Sequence, residues 1–192
     1  MKVLAIAGSL RKDSFSGRLA AAAADLAPKG VEVELYDGLD DVTNYNQDLE
    51  PDRIPAGVED LRAKMEASDA LLVVTPEYNA SVPGALRNAI DWASRPHGAS
   101  ALQGLPAAII STSPMPFGAV WANEQVRKSF TITGTPTVER ELAIGKIDEK
   151  LGADGTITDE EVRDNVIQIL LELEELYGQV IQELPGEEKA TA

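Results

Sequence analysis

Val3-Leu4-Ala5-Ile6-Ala7-Gly8-Ser9-Leu10-Arg11-Lys12-Asp13-Ser14-Phe15-Ser16-Gly17-Arg18 is the stretch on which the fold turns. It opens with an unbroken apolar run, the pattern of a parallel strand covered on both faces. A glycine and a hydroxyl-rich turn follow, and then a helical pattern over about 15–27. Strand, turn and helix in this order begin an α/β domain. Further apolar runs occur at 31–35 (Val-Glu-Val-Glu-Leu), 70–74 (Ala-Leu-Leu-Val-Val) and 107–110 (Ala-Ala-Ile-Ile), with a fifth candidate at 137–144 (Thr-Val-Glu-Arg-Glu-Leu-Ala-Ile). The second and fifth alternate and carry charges, which suits sheet edges. Helical patterns near 56–67, 83–95 and 118–131 separate them. Alternating β and α elements predict one parallel sheet with helices on both faces, joined by right-handed crossovers.

The last helix announces itself. Thr158-Asp159-Glu160-Glu161 reads as a capping box, with Thr158 as N-cap and Glu161 reaching back. Val162, Val166, Ile169, Leu170, Leu173, Leu176, Tyr177, Val180, Ile181 and Leu184 follow as one wide apolar stripe, the signature of core packing. The reading is a single domain over 1–184 and a polar, disordered tail over 185–192. The stretch 36–54 is long for a connection, and two readings stay open: a functional loop or a solvated acidic one.

The chain has 192 residues, of which 44% are apolar, enough for a sizeable core. Lys and Arg number 17 against 32 Asp and Glu, a formal charge of −15. That field repels nucleic acid and anionic lipid, so neither is expected as a partner. A phosphate site would need local cations and backbone N–H groups. With no Cys and one His, disulfides, thiolate nucleophiles and Cys- or His-based metal sites are excluded. No apolar run approaches the ~20 residues that span a bilayer. The start does not read as a signal peptide. A soluble cytoplasmic protein is the expectation.

Three loops carry the chemistry. After strand one, Gly8 to Arg18 lacks the spacing of a dinucleotide fingerprint and the Gly-Lys-Ser/Thr of a Walker loop. It offers Ser9, Ser14 and Ser16 as hydroxyl donors, a helix N-terminus that favours an anion, and Arg11 as a forked cation. A plain βα turn capped by Ser14 or Ser16 is the competing reading. After strand three, Thr75-Pro76-Glu77-Tyr78-Asn79-Ala80-Ser81-Val82-Pro83-Gly84 combines fixed dihedrals with backbone donors, suited to a flat heterocycle read edge-on. Ser81 is the expected cap of the next helix, with Pro83 in its first turn. After strand four comes Ser111-Thr112-Ser113-Pro114-Met115-Pro116-Phe117-Gly118. In an open α/β sheet these loops share the carboxyl end of the strands, where ligands bind at the switch in strand order. Lone His97, between Pro96 and Gly98, reads as exposed. The 150–161 segment lacks the anchoring ligands of a calcium loop.

Gly8-Ser9-Leu10-Arg11-x-x-Ser14, Pro76-Glu77-Tyr78-Asn79 and Ser81-Val82-Pro83-Gly84-x-Leu86-x-Asn88-Ala89-Ile90-Asp91-Trp92 resemble the NAD(P)H-dependent FMN reductase family, over residues 2 to about 180. The resemblance implies a flavodoxin-like three-layer α/β sandwich with strand order 2-1-3-4-5, and a noncovalent FMN. By it, Ser9, Arg11, Ser14, Phe15 and Ser16 hold the phosphate. Pro76, Glu77, Tyr78 and Asn79 line the isoalloxazine ring largely through backbone groups, and Ser113 and Pro114 contact its other side. It also implies NADPH or NADH as reductant, a homodimer or homotetramer, and flavin sites near the subunit interface. The chain departs from the family pattern at Ser16, where Asn is frequent. It departs again at Met115-Pro116-Phe117, where the loop is usually Gly-rich, and the added bulk is expected to narrow the pocket.

The function implied is a ping-pong oxidoreductase. Hydride passes from NAD(P)H to bound FMN, and two electrons then pass to a small acceptor such as a quinone, free flavin, azo compound or chromate. No side chain is assigned as acid or base. A flavodoxin-type electron carrier that needs a separate reductase is the alternative, favoured by the acidity. A flavin-free interaction protein on the same fold is a third.

Overall fold

The computed structural model describes residues 1–183. Leu184 and the predicted tail over 185–192 lie outside the described residues. The strands β1 (Lys2–Ala7), β2 (Glu32–Tyr36), β3 (Ala70–Thr75), β4 (Ala107–Ser113) and β5 (Leu142–Gly145) form one parallel sheet of order β2-β1-β3-β4-β5. This is the flavodoxin-like order, with the charged, alternating second and fifth strands at its edges. The helices are α1 (Phe15–Asp25), α2 (Ala56–Glu66), α3 (Gly84–Ala93), α4 (Val120–Thr133), a single turn α5 (Ile147–Lys150) and α6 (Glu160–Glu183).

Strand alternation sorts the core into two layers. Val3, Ala5, Leu72, Val74, Ala108 and Ile110 pack with α1, α5 and α6. Leu4, Ile6, Leu71, Val73, Ala107 and Ile109 pack with α2, α3 and α4. Because both faces are covered, β1, β3 and β4 read as continuous apolar runs rather than alternating ones.

The fifth strand is shorter than the 137–144 expected. Thr137 makes one isolated bridge to Ala107, and the ladder to β4 starts at Leu142. Arg127 on α4 explains the gap. Its guanidinium donates to the carbonyls of Val138 (2.7 Å) and Arg140, taking acceptors that a longer strand would use. Burial of Arg127 pushes its ionisation below the usual guanidinium range.

The cap of α6 also differs. Asp159, not Thr158, accepts from the Val162 N–H at 2.9 Å, while the Thr158 N–H pairs with the Lys150 carbonyl. Asp159→Ala is therefore expected to cost about 1 kcal/mol in chemical denaturation, and Thr158→Ala only a few tenths. Equal losses would contradict this assignment. The apolar stripe is buried at Val162, Val166, Ile169, Leu170 and Leu173, and its distal half is only partly covered.

The long 36–54 connection is neither free nor merely solvated. Two 3-10 turns, Leu39–Asp41 and Gln47–Leu49, shape it, and Leu39 and Val42 enter the core. Asn88 on α3 donates to the carbonyls of Val42 (3.0 Å) and Thr43 (3.1 Å) and accepts from the Tyr45 N–H (2.7 Å). Trp92 Nε1 donates to the Thr43 carbonyl at 2.6 Å. Arg62 on α2 pairs with Glu50 and donates to the Trp92 carbonyl. The Asn88 and Trp92 of the sequence motif therefore strap this loop to the domain.

Candidate functional site

β1 delivers its loop to the middle of the carboxyl edge, and the first step of the exit is tight. The Gly8 N–H bonds the Val74 carbonyl at 2.8 Å. A Cβ on Gly8 would lie 3.0 Å from both Leu86 Cδ2 and Thr75 Oγ1, so β1 and β3 stay close as the chain leaves the sheet. Ser14 then caps α1. Its backbone is extended (φ −69°, ψ 146°), and its Oγ accepts from the Gly17 N–H. Ser16 is 1% exposed, its hydroxyl 3.4 Å from that of Ser14. The short hydroxyl suits a spot closed over by the first helical turn. Among the described residues the N–H groups of Phe15 and Ser16 have no hydrogen-bond partner, as is usual in a first helical turn, which leaves them open to an external anion. Arg11 and Lys12 are exposed and form no ion pair among the described residues. The Phe15 ring is committed elsewhere. It lies 4.8 Å from the Arg18 guanidinium, which donates to the Gly152 carbonyl, so Phe15 offers the site its backbone N–H alone.

The loop after β3 is a two-residue hairpin. Tyr78 and Ser81 exchange both backbone hydrogen bonds, at 3.0 and 3.1 Å. Asn79 (φ 53°) and Ala80 (φ 58°) between them are left-handed, the geometry of the mirror-type turn. Glu77 does not direct its carboxylate to solvent. Oε2 accepts from the Ala122 N–H at 3.3 Å, at the start of α4, where the helix dipole favours it. Ser81 is not the cap of α3. Pro83 holds that position without a side-chain bond, and Ser81 instead donates to Gln125 Oε1 at 2.9 Å. Gln125 Nε2 donates to the Ala80 carbonyl, completing a clamp between hairpin and α4. No spacing in the sequence signals Gln125.

The loop after β4 is equally fixed. Ser111 Oγ donates to the Gly118 carbonyl at 2.8 Å, and Ser113 Oγ accepts from the Met115 N–H at 3.0 Å. Asn123, 2% exposed, donates to Ser111 Oγ and accepts from Arg127. Gly118 has φ 63°, and a Cβ there would strike the backbone of Ala143 and Ile144. One on Gly145 would strike the Pro116 carbonyl. Met115 and Phe117 stand 67% and 73% exposed. Pro114 is exposed and Ser113 half-buried.

The three loops form one connected surface. Ser9 Oγ and Tyr78 Oη lie 3.0 Å apart, joining the first loop to the second. Glu77 and Gln125 join the second to the helix that follows the third. A cleft of about 590 Å³ runs between α3 and α4 beside Arg87, Arg95 and Lys128 and is not lined by the predicted residues. On the connected loops Arg11, Tyr78, Asn79 and Pro114 are exposed. No metal-holding cluster occurs among the described residues, and His97 is exposed. Free first-turn N–H groups, clustered hydroxyls and unpaired cations suit a phosphate monoester. A rigid hairpin within reach of that loop through Tyr78 suits the planar ring joined to it. The residues present fit FMN.

The sequence profile of the NADPH-dependent FMN reductases matches residues 1–149. A quinone reductase of Pseudomonas putida is 42% identical over 137 residues, 71% of this chain and 73% of its own length. An NAD(P)H-dependent FMN reductase of Pseudomonas aeruginosa is 37% identical over 175 residues, 91% of this chain and 94% of its own. Among solved structures, FerB, a flavoenzyme NAD(P)H:(acceptor) oxidoreductase from Paracoccus denitrificans, superimposes with a TM-score of 0.81 at 38% identity. The match covers 91% of this chain and 97% of FerB.

Proposed function

The chain belongs to the NADPH-dependent FMN reductase family, and from that premise we propose that it reduces a small quinone-like acceptor, with reductant and acceptor using one open site in turn. Membership makes FMN the cofactor and a reduced nicotinamide the electron source. When bound, FMN supplies the hydride and electron chemistry that no side chain here can.

This chain's residues bind and orient. The Phe15 and Ser16 N–H groups, the hydroxyls of Ser9 and Ser14, and the Arg11 guanidinium would hold the phosphate, while the buried Ser16 hydroxyl, donating to Ser14, would support the loop from beneath. Pro76, Glu77, Tyr78 and Asn79 would line the ring largely through backbone groups, with Ser113 and Pro114 on its other side. The N–H groups of Glu77 and Asn79, which have no partner among the described residues, would stabilise developing negative charge without reorganising. Glu77 contributes by holding the hairpin to α4, not as a proton donor. Over one turnover NAD(P)H gives up a hydride, water supplies a proton, and a quinone leaves as its hydroquinone.

The contact that carries this reading is Ser9 to Tyr78, which makes the phosphate loop and the ring loop parts of one surface. The name of the Pseudomonas putida relative supports a quinone as acceptor. The reading includes a homodimer or homotetramer in the cytoplasm, where reduced nicotinamide is made. Initial rates against NADPH at several quinone concentrations are expected to give parallel reciprocal lines; intersecting lines would overturn the shared, alternating site. One observation favours a second reading. A charge of −15 suits docking on a basic partner, as an electron carrier does.

A further inference from the structure

Five of the eight exposed large hydrophobic side chains among the described residues sit on the three loops or at the start of α4: Leu10, Tyr78, Met115, Phe117 and Trp121, each at least 46% exposed. Scattered exposed hydrophobics need no explanation, but a contiguous group does. Phe117 and Trp121 form such a group, their rings 6.5 Å apart at 35°. Met115 lies two residues before Phe117 in the same loop, and the Glu77–Ala122 bond ties the hairpin that carries Tyr78 to the first turn of α4, which carries Trp121. Nor does a loose loop account for their exposure. The segment is held by Ser111, by the Met115 carbonyl accepting from the Lys146 N–H, and by close approach at Gly118 and Gly145.

Charge says what such a rim would admit. No residue from Ser111 to Asn123 is charged, in a chain that is 26% charged. The net charge of −15 opposes a small anion approaching from solvent, whereas an uncharged planar molecule meets no such barrier. An aromatic face with a flexible methionine beside it suits stacking and irregular apolar contact.

We propose that Met115, Phe117 and Trp121, with Tyr78, form the outer wall of the acceptor site and select flat, uncharged, hydrophobic quinones over small anionic acceptors. This rests on the functional reading above and adds to it the residues that select among acceptors. On the functional reading Ser113 and Pro114 face the ring, and Met115 follows them directly in the chain, so the wall would border the face that an acceptor reaches.

The test compares menadione with ferricyanide as acceptors for the FMN-loaded, full-length protein. Phe117→Ala and Trp121→Ala are each expected to lower the ratio of kcat/KM for menadione to that for ferricyanide by about tenfold, and Trp121→Phe to preserve it. A second readout needs no turnover. The chain has two tryptophans; Trp92 is fully buried and Trp121 half-exposed. Menadione added to the oxidised protein is expected to quench the Trp121 emission saturably, and ferricyanide at equal concentration not to saturate. An unchanged ratio in both alanine variants overturns the proposal. So does an unchanged ratio with loss of self-association in sedimentation, which would make the rim a contact between copies. Wild-type protein that oxidises NADPH with neither acceptor overturns the functional reading and the proposal with it. Saturable quenching in that case would leave an apolar ligand site of another function.

Discussion

Arg11→Ala is expected to weaken FMN binding by about 10- to 100-fold while leaving the thermal midpoint of the flavin-free protein unchanged. A charge-assisted hydrogen bond contributes about 1.5–3 kcal/mol, and about 1.4 kcal/mol is a factor of ten in affinity. The separation of the two effects follows from Arg11's surroundings. It is exposed, its side chain makes no hydrogen bond or ion pair among the described residues, and it packs in neither core layer. Its forked cation is therefore free for a phosphate, and nothing in the fold depends on it. Arg11→Lys keeps the charge but loses the fork, so its affinity should fall between the two. Fluorescence titration of FMN checks both variants. Unchanged affinity in Arg11→Ala would remove the phosphate from this loop.

The same contrast explains which parts of the molecule the sequence exposes to reading. β1, β3 and β4 are legible because both faces are buried, so nearly every residue is apolar. The three loops of the candidate site stand out because Gly, Ser and Pro gather where those strands end. β5 is misjudged by five residues at its start because Arg127, a side chain on another element, takes two of its carbonyls. No local pattern encodes such a bond. The cap of α6 is displaced by one residue because Thr158 and Asp159 are both good caps and a distant pairing, Thr158 to Lys150, decides between them. The roles of Glu77, Ser81 and Gln125 are invisible for the same reason: each is settled by contact between a hairpin and a helix about forty residues on. The motif residues Asn88 and Trp92 were legible only as a resemblance, and their work in holding the 36–54 loop required the fold to be seen.

Trp92→Ala is the substitution expected to cost most in stability, about 3–5 kcal/mol, the range for deleting a large buried aromatic. Trp92 is fully buried. Its ring meets Tyr45 edge-on at 4.9 Å, and the Arg62 guanidinium lies 5.7 Å from it. Loss of the ring opens a cavity and releases the Thr43 carbonyl from Nε1. In a domain of this size each kcal/mol moves the midpoint by about 2–4 °C, so a fall of about 6–20 °C is expected. Trp92→Phe refills most of the volume but not the hydrogen bond, and should recover more than half of the loss. Differential scanning calorimetry separates the cases. If Trp92→Phe is as damaging as Trp92→Ala, the bond to Thr43 dominates the packing. If neither shifts the midpoint, the loop is not held as described.

The two variants divide the molecule usefully. Arg11 should affect the ligand without the fold, and Trp92 the fold without touching the ligand loops. The rest of the account requires that the connected loops hold FMN where NADPH can reach it. The direct test is to load the purified protein with FMN, remove free flavin, add NADPH under anaerobic conditions and follow the flavin absorbance with no second protein present. The account predicts stoichiometric flavin that bleaches on mixing and recovers its colour when a quinone is added. Bound flavin that stays oxidised until a separate reductase is supplied would contradict it and make the protein an electron carrier.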